Sequence, residues 1–444
     1  MDKEKILIYK FIKLCACVTV AGIFSALTCA CNVQNEANDN ADVYKSQVAT
    51  LGIVQPIEFE HHDVQPHIAV DITGYRTESK KIFYVFAEAN AEFEVINSVN
   101  GKSVYSGTLV PMSADTGNTT DNEPKVYIGN FSDFRSNGSY RIYNRTVGYS
   151  YEFRINNNIY DKNFDELYFK EKRLIADDCG ERDYRLAVLM LMKELFPDSY
   201  FDRAYVRGQI EEVLSEAEIK VEELYENDKQ SLVDVCRDSA ILAQYYNFCR
   251  NDDLELADKC RKMSINLYAG IAKYRDSIEA DSWYWASAEL YRATGNYAYR
   301  NAISEYDKYK GDSEERIITD FSFLADMTYL MTEYRTEYER CRQIMDTYMQ
   351  KASDISQNNG KGAYYVREDI ETVDVREALH DMMVLEIANY VLSCNEYTTV
   401  VENYIHYYSG RNAKLKDYMG EIISSEDSDI KTITDLLFVL APWQ

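Results

Sequence analysis

The chain has 444 residues, of which 46% are hydrophobic, and it is long enough to form two or three domains with their own cores. It contains 74 acidic and 48 basic residues, which gives a net charge of −26 at pH 7. A surface this acidic repels phosphate backbones and anionic lipid, which argues against a nucleic-acid partner and is compatible with a neutral, polyhydroxylated ligand.

Residues 1–30 have the features of a bacterial lipoprotein signal peptide. Four lysines in MDKEKILIYKFIK precede the apolar run LCACVTVAGIFSAL. Small residues before a cysteine resemble a lipobox, so Cys31 is the predicted lipidation site and Cys29 the alternative. We therefore expect an exported protein, anchored through lipid to the bacterial membrane and exposed at the cell surface, with residues 31–63 as a polar tether. The alternative interpretation is an ordinary cleaved signal peptide.

Residues 64–156 alternate apolar and polar positions, as half-buried strands do. The dipeptide Asn100-Gly101 between two such runs predicts a two-residue hairpin turn. Six or seven short strands in this length predict an immunoglobulin-like β-sandwich.

Residues 161–444 show apolar residues at helical spacing throughout, which predicts ten to twelve helices. The absence of a fixed repeat period argues against a solenoid and favours a closed helical barrel. The fold class expected is therefore multidomain, a β-sandwich followed by an all-α barrel.

Motifs for other chemistries are missing from the sequence. It has no CxxC pair, only five histidines, and no P-loop, HExxH or GxSxG motif. We therefore predict neither a metal site nor a cofactor. Of the histidines, His61 and His62 are expected at the surface, and His380 and His406 at helix interfaces or the surface.

Several segments resemble glycoside hydrolase family 9 and its N-terminal immunoglobulin-like domain. The helix WYWASAELYRATG is close to the family's WAAAELYRATG. The similar segments follow the family's order along the chain, and the resemblance implies a barrel of six helix pairs, an (α/α)6 barrel. It also implies inverting hydrolysis of a β-1,4-glucan or related plant polysaccharide. The other segments that carry the resemblance are Phe131–Phe134 with Gly138–Tyr140, Glu194–Asp198 and Tyr407–Asn412.

The resemblance also implies catalytic residues. The family's Asp-Ala-Gly-Asp base region matches Asp178-Cys179-Gly180-Glu181, which makes Glu181 the base and Asp178 its partner in holding water. A shifted alignment gives the role of base to Asp183 instead. The alternative interpretation is that this acidic cluster only caps the helix that starts near Tyr184.

The implied acid lies just before the terminal helix predicted over 430–441. Glu426, or the neighbouring Asp427, occupies that position, although the run of polar residues around it is also typical of a helix cap. Two departures from the family are visible: Glu181 replaces an aspartate, and the family's His-Arg sugar-binding motif does not follow Asn412. An inverting pair of carboxyl groups lies about 6.5–9.5 Å apart.

Three hypotheses follow from these observations. The first is a cell-surface glycoside hydrolase, and the second is a catalytically degenerate surface lipoprotein that binds a glycan or a partner protein. The third is a purely structural scaffold, which predicts a barrel mouth plugged with apolar side chains.

Overall fold

The computed structural model describes residues 66–112, 126–176, 178–223, 229–306, 318–359 and 363–444. The predicted signal peptide and tether, with Cys29, Cys31, His61 and His62, lie outside the described residues. Within the described ranges, no helix is long and apolar enough to cross a membrane.

The N-terminal domain is a sandwich of two antiparallel sheets, as the alternating pattern predicts. The sheets have the strand orders β1-β2-β6-β5 and β4-β3-β7-β8, and β9 pairs with β7. Nine strands are described, more than the six or seven predicted, because three of them have only two residues and carry no readable pattern. They are β1 Ile68–Ala69, β2 Ile82–Val85, β3 Glu92–Asn97, β4 Ser103–Thr108, β5 Val110–Pro111, β6 Tyr127–Asn130, β7 Gly138–Asn144, β8 Gly148–Tyr149 and β9 Phe153–Ile155.

Strands β3 and β4 form the hairpin predicted from Asn100-Gly101. Gly101 has φ +67°, the left-handed conformation for which glycine is suited. The turn is longer than the two residues predicted. The backbone N–H of Asn97 donates to the carbonyl of Lys102, which leaves residues 98–101 in the turn. Phe93 and Val95 of β3 point inward and join the sandwich core.

The C-terminal domain is helical throughout its described residues. Thirteen helices are described there, and the excess over the prediction comes from short helices such as α7 and α12. They are α1 Asp161–Glu171, α2 Cys179–Leu195, α3 Arg203–Glu223, α4 Lys229–Cys249, α5 Leu254–Ile271, α6 Ala280–Thr294, α7 Tyr297–Ser304, α8 Asp320–Met331, α9 Tyr338–Asn359, α10 Val375–Leu392, α11 Asn395–Tyr408, α12 Tyr418–Ser424 and α13 Ile430–Leu440.

Six of these helices form an inner ring. Helices α2, α4, α6 and α8 pack side by side in that order. Helix α10 packs against α13, and α13 packs against α2. The ring closes between α8 and α10 through the ion pair of Asp320 and Arg376 at 3.0 Å. An outer helix packs beside each inner one, as in the (α/α)6 barrel expected from the sequence. The inner helices are buried on most of their faces, and their apolar residues form one continuous core.

The N-terminal ends of the inner helices meet at one end of the barrel, which we call the barrel mouth. Tyr184 of α2 contacts Asp435 of α13, each the sixth residue of its helix, and Arg376, the second residue of α10, contacts the first residue of α8. The helices therefore run parallel to one another. Because the N-terminus of a helix carries partial positive charge, this end of the barrel favours carboxylates.

The two domains are packed against each other. The backbone N–H of Ile72 donates to the carbonyl of Ser409 at 2.7 Å, and Asp71 Oδ2 lies 2.6 Å from His406 Nδ1. Arg76 pairs with Glu402 at 3.2 Å. His406 is thus a buried interface residue, one of the two positions expected for it.

Candidate active site

The segment Asp178–Glu181 begins the first inner helix and opens onto the barrel mouth. Asp178 is the N-cap residue of α2, and its carboxylate accepts the backbone N–H of Glu181 at 2.8 Å. The capping role that we considered as the alternative is therefore present. Asp178 is exposed and Glu181 half-buried, so both side chains keep some contact with solvent.

Asp183 lies in a different environment from its two acidic neighbours. Its side chain is fully buried, and Arg182 Nε donates to it at 3.0 Å. The same guanidinium donates to Asp238 of α4 at 2.7 Å and to Glu216 of α3 at 2.7 Å. Asp183 is therefore part of a buried ion cluster that joins three helices.

Arg237 of α4 lies against the Asp178–Glu181 segment. A Cβ atom on Gly180 would lie 2.4 Å from Arg237 Nη1 and 3.1 Å from Asp178 Oδ1, so the glycine leaves the space that the guanidinium fills. Arg237 donates to Glu279 at 2.7 Å and packs over the ring of Phe321 at 4.2 Å. The mouth thus combines charged groups with an aromatic floor, rather than the apolar plug of the scaffold hypothesis.

A network of charged residues crosses the centre of the mouth from three inner helices. Asp320 of α8 lies 3.0 Å from Arg376, 3.2 Å from His380 and 3.2 Å from Lys431. Asp435, which is fully buried, accepts a 2.6 Å hydrogen bond from the hydroxyl of Tyr184.

The two carboxyl groups of this network titrate differently. Burial alone would raise the pKa of Asp320, but the hydrogen bond from His380 and the charges of Arg376 and Lys431 hold it well below its usual range. Burial raises the pKa of Asp435, and Arg376 only partly opposes that rise. Asp320 is therefore ionised at neutral pH, at a position where it faces a small cavity of about 20 Å³ that His380 also lines.

Asp320, Arg376 and Lys431 were not predicted as site residues from the sequence, and His380 was expected only at an interface or the surface. The sequence pattern indicated these residues only weakly. Arg376 and His380 are four residues apart and so share a helix face, and Asp320 follows the N-cap residue Thr319.

Glu426 is exposed in the turn between α12 and α13. Lys170 of α1 holds this turn, because its ammonium donates to the carbonyls of Ile422 and Ser425 and to the hydroxyl of Ser428. The turn leads into α13 and so lies at the mouth end of the barrel. The catalytic roles of Asp178, Glu181, Asp183 and Glu426 remain predictions.

The comparisons with known proteins agree with the architecture. Residues 63–148 match the family model described as the cellulase N-terminal ig-like domain, and residues 215–426 match that of glycosyl hydrolase family 9. The second match ends at Glu426 and begins after Asp183. No curated protein matches the sequence.

Solved structures with the same fold include three family members or endoglucanases. A metagenome-derived glycoside hydrolase family 9 endoglucanase is 14% identical, with 85% of this chain and 98% of that chain covered and a TM-score of 0.66. A thermostable endoglucanase from Alicyclobacillus acidocaldarius is 15% identical, with coverage of 80% and 84% and a TM-score of 0.62. The Bacteroides ovatus GH9 structure is 13% identical, with coverage of 79% and 86% and a TM-score of 0.61.

At these identities the solved structures establish a shared fold, while the two family models identify the domains. The chain thus combines a cellulase N-terminal immunoglobulin-like domain with a glycoside hydrolase family 9 domain, as its sequence motifs predicted.

Proposed function

We propose that this protein is a cell-surface glycoside hydrolase that cleaves a β-1,4-glucan or a related plant polysaccharide with inversion. Glu181 is the base, Asp178 helps to hold the attacking water, and Glu426 is the acid. The protein is exported and attached to the bacterial membrane by a lipid on Cys31.

The observation that carries this proposal is the position of the accessible carboxylates at the mouth of a family 9 barrel. Asp178 and Glu181 start one inner helix, and Glu426 lies on the turn before another, at the same end. An inverting hydrolase needs one carboxylate to activate water and another to protonate the leaving oxygen. Asp183 is the weaker candidate for the base, because Arg182 and the helices around it shield its carboxylate from the mouth.

A second candidate function is binding of a glycan without hydrolysis. It is favoured by the use of Asp178 as a helix cap and by the absence of the family's His-Arg motif after Asn412. In that case the mouth would hold the glycan and no bond would be cleaved.

Hydrolysis assays on purified residues 32–444, the mature sequence without the lipidated Cys31, would decide between the two functions. We expect reducing ends to be released from soluble β-glucans, and the first product to be the α-anomer by proton NMR, since the reaction inverts a β-linkage. Glu181→Gln and Glu426→Gln should each lower the rate by about 10²–10⁴-fold.

Two further variants serve as controls in the same assay. Glu421→Gln changes another exposed carboxylate of the α12 region and should keep the parent rate. Asp183→Asn should lose activity only in proportion to any loss of folded protein. Glycan binding without release of reducing ends from any β-glucan or xylan would support the second function and contradict the first.

A further inference from the structure

A groove runs along the rim of the barrel beside the turn that carries Glu426. It has a volume of about 430 Å³, which is within the range of ligand-binding pockets. Helix α1 forms one side of the groove and the end of α12 the other. The lining residues are Asp165, Glu166, Phe169, Lys170, Arg173 and Ile423.

The floor of the groove is held in place by a buried charge. Lys170 is only 6% exposed, and its ammonium donates to the carbonyl of Ile422 at 2.6 Å and to the hydroxyl of Ser428 at 2.8 Å. These bonds tie α1 to the turn before α13. Because they satisfy the ammonium, Lys170 is a structural support for the groove and is not available to a ligand.

The wall of the groove presents an aromatic ring and charged groups to solvent. Phe169 is 60% exposed, unusual for a phenylalanine, and the guanidinium of Arg173 lies 4.4 Å from its ring centroid. Among the described residues, the carboxylate of Asp165 has no hydrogen-bond or ion-pair partner. Within the described part of the chain, Glu166 forms one ion pair, with the exposed Lys162 at 3.5 Å.

These groups suit a neutral sugar better than other ligands. A pyranose ring has apolar C–H faces that pack on an aromatic ring, and hydroxyl groups that donate to carboxylates and accept from a guanidinium. Two carboxylates in the wall and a net charge of −26 disfavour a polyanion. The groove is lined by Arg173, just after α1, and by Ile423 at the end of α12, next to the turn that carries Glu426.

We propose that this rim groove is a glycan-binding subsite, in which a neutral β-1,4-glucan packs against Phe169 and hydrogen-bonds to Asp165 as it passes toward the mouth. The proposal rests on the proposed function for the identity of the glycan. The site extends substrate binding from the mouth to the outer helix α1.

The test is calorimetric titration of the mature chain with cellohexaose, in a Glu181→Gln background so that the ligand is not consumed. Phe169→Ala should weaken binding about tenfold, and Asp165→Asn should weaken it by a smaller factor. Tyr297→Ala is the matched control, because Tyr297 is 58% exposed on the outer helix α7 and has Arg300 5.3 Å from its ring centroid. It should leave the affinity unchanged.

The inference is overturned if Phe169→Ala binds as tightly as the Glu181→Gln background, if Tyr297→Ala loses as much affinity, or if that background binds no cellohexaose. The failure of the proposed function looks different. If Phe169→Ala weakens binding but the parent protein releases no reducing ends, the groove proposal stands and the proposed hydrolase function is contradicted. If the parent hydrolyses β-glucan and the Phe169→Ala variant has the same KM, the proposed hydrolase function stands and the groove proposal is contradicted.

Discussion

Arg182 shows how a single side chain can hold several buried charges together. Its guanidinium donates to Asp183 at 3.0 Å and to Asp238 at 2.7 Å, and both carboxylates are fully buried. Burying such charges is unfavourable unless each has a close partner of opposite sign. Without the arginine, two carboxylates on neighbouring helices would face each other in the core.

We therefore predict that Arg182→Met destabilises the protein strongly. The free energy of unfolding should fall by about 3–5 kcal/mol, because the substitution leaves buried carboxylates uncompensated. Urea denaturation followed by tryptophan fluorescence measures this loss, since all three tryptophans lie in the helical domain.

Arg207→Met is the matched control for that experiment. Arg207 pairs with Glu211 at 3.1 Å and with Asp253 at 2.9 Å while it is half exposed itself, so solvent already screens these interactions. Its removal should leave the denaturation midpoint nearly unchanged. Equal midpoints for the two variants would contradict a structural role for the Arg182 cluster. Asp183 would then again be a candidate for the catalytic base.

At the scale of elements, the end of α11 explains one of the motifs that carried the family resemblance. Gly410 has φ +107°, and a Cβ atom there would lie 2.8 Å from Ile72 Cδ1 and 3.3 Å from the carbonyl oxygen of Val70. The next residue, Arg411, is fully buried and donates to Asn403 Oδ1 at 2.9 Å. The segment therefore turns the chain tightly where the helical domain meets the sandwich.

We predict that Gly410→Ala weakens the contact between the two domains. The unfavourable φ and the collision with Ile72 should lower the free energy of unfolding by about 1–3 kcal/mol. In differential scanning calorimetry, the transition should move to lower temperature and broaden as the two domains cease to unfold together.

Gly208→Ala provides the comparison for this substitution. Gly208 lies inside α3, and apart from the local helix backbone and the two chain neighbours no atom lies within 4 Å of the position of its Cβ. Alanine there should stabilise the protein by up to about 1 kcal/mol, because it favours the helix. A Gly410→Ala protein as stable as the parent would contradict the close approach of the domains.

The elements themselves were largely predictable from the sequence, since hydrophobic periodicity reports burial directly. The terminal helix, expected over 430–441, is observed over Ile430–Leu440. The strands of two residues were missed because so short a segment has no period. The charged network at the mouth was missed for a different reason. Asp320 begins α8, where almost every following residue is buried, so the sequence pattern did not indicate which side faces the barrel axis.

The candidate site was predictable only in part, because the same residue types serve capping and catalysis. Asp178 was assigned from a motif, and the structure shows that it caps α2. The ion cluster of Asp183 depends on Asp238 and Glu216, which lie on other helices. No spacing along the chain predicts that contact.

At the scale of the whole molecule, several carboxyl groups are buried with elevated pKa values. Burial raises the pKa of Glu171 to about 8, that of Glu289 to about 7 and that of Glu386 to about 8. Hydrogen bonds from neighbours, such as that from Trp443 to Glu386 at 3.1 Å, only partly offset the burial. The folded protein therefore keeps these protons well above pH 4.5, where the unfolded chain releases them.

The sign of the resulting pH dependence follows from proton counts. Between pH 4.5 and about 8 the folded state binds more protons than the unfolded state, so its stability falls as the pH rises. The two members of the buried Asp71–His406 pair affect this slope in opposite directions. Burial raises the pKa of Asp71 and lowers that of His406, and these two shifts have opposite effects on proton release.

We predict that the free energy of unfolding, measured by urea denaturation at several pH values from 5 to 8, decreases steadily with rising pH. Each of the three glutamates can contribute up to about 1.4 kcal/mol per pH unit below its own folded-state pKa. Glu386→Gln keeps the shape and the hydrogen bond from Trp443 but cannot titrate, so it should flatten the slope by up to that amount. Glu255→Gln, at an exposed carboxylate with a lowered pKa, should keep the parent slope. A parent protein whose stability rises from pH 5 to 8 would show that these carboxyls are ionised in the fold, and Lys or Arg partners would then have to stabilise them.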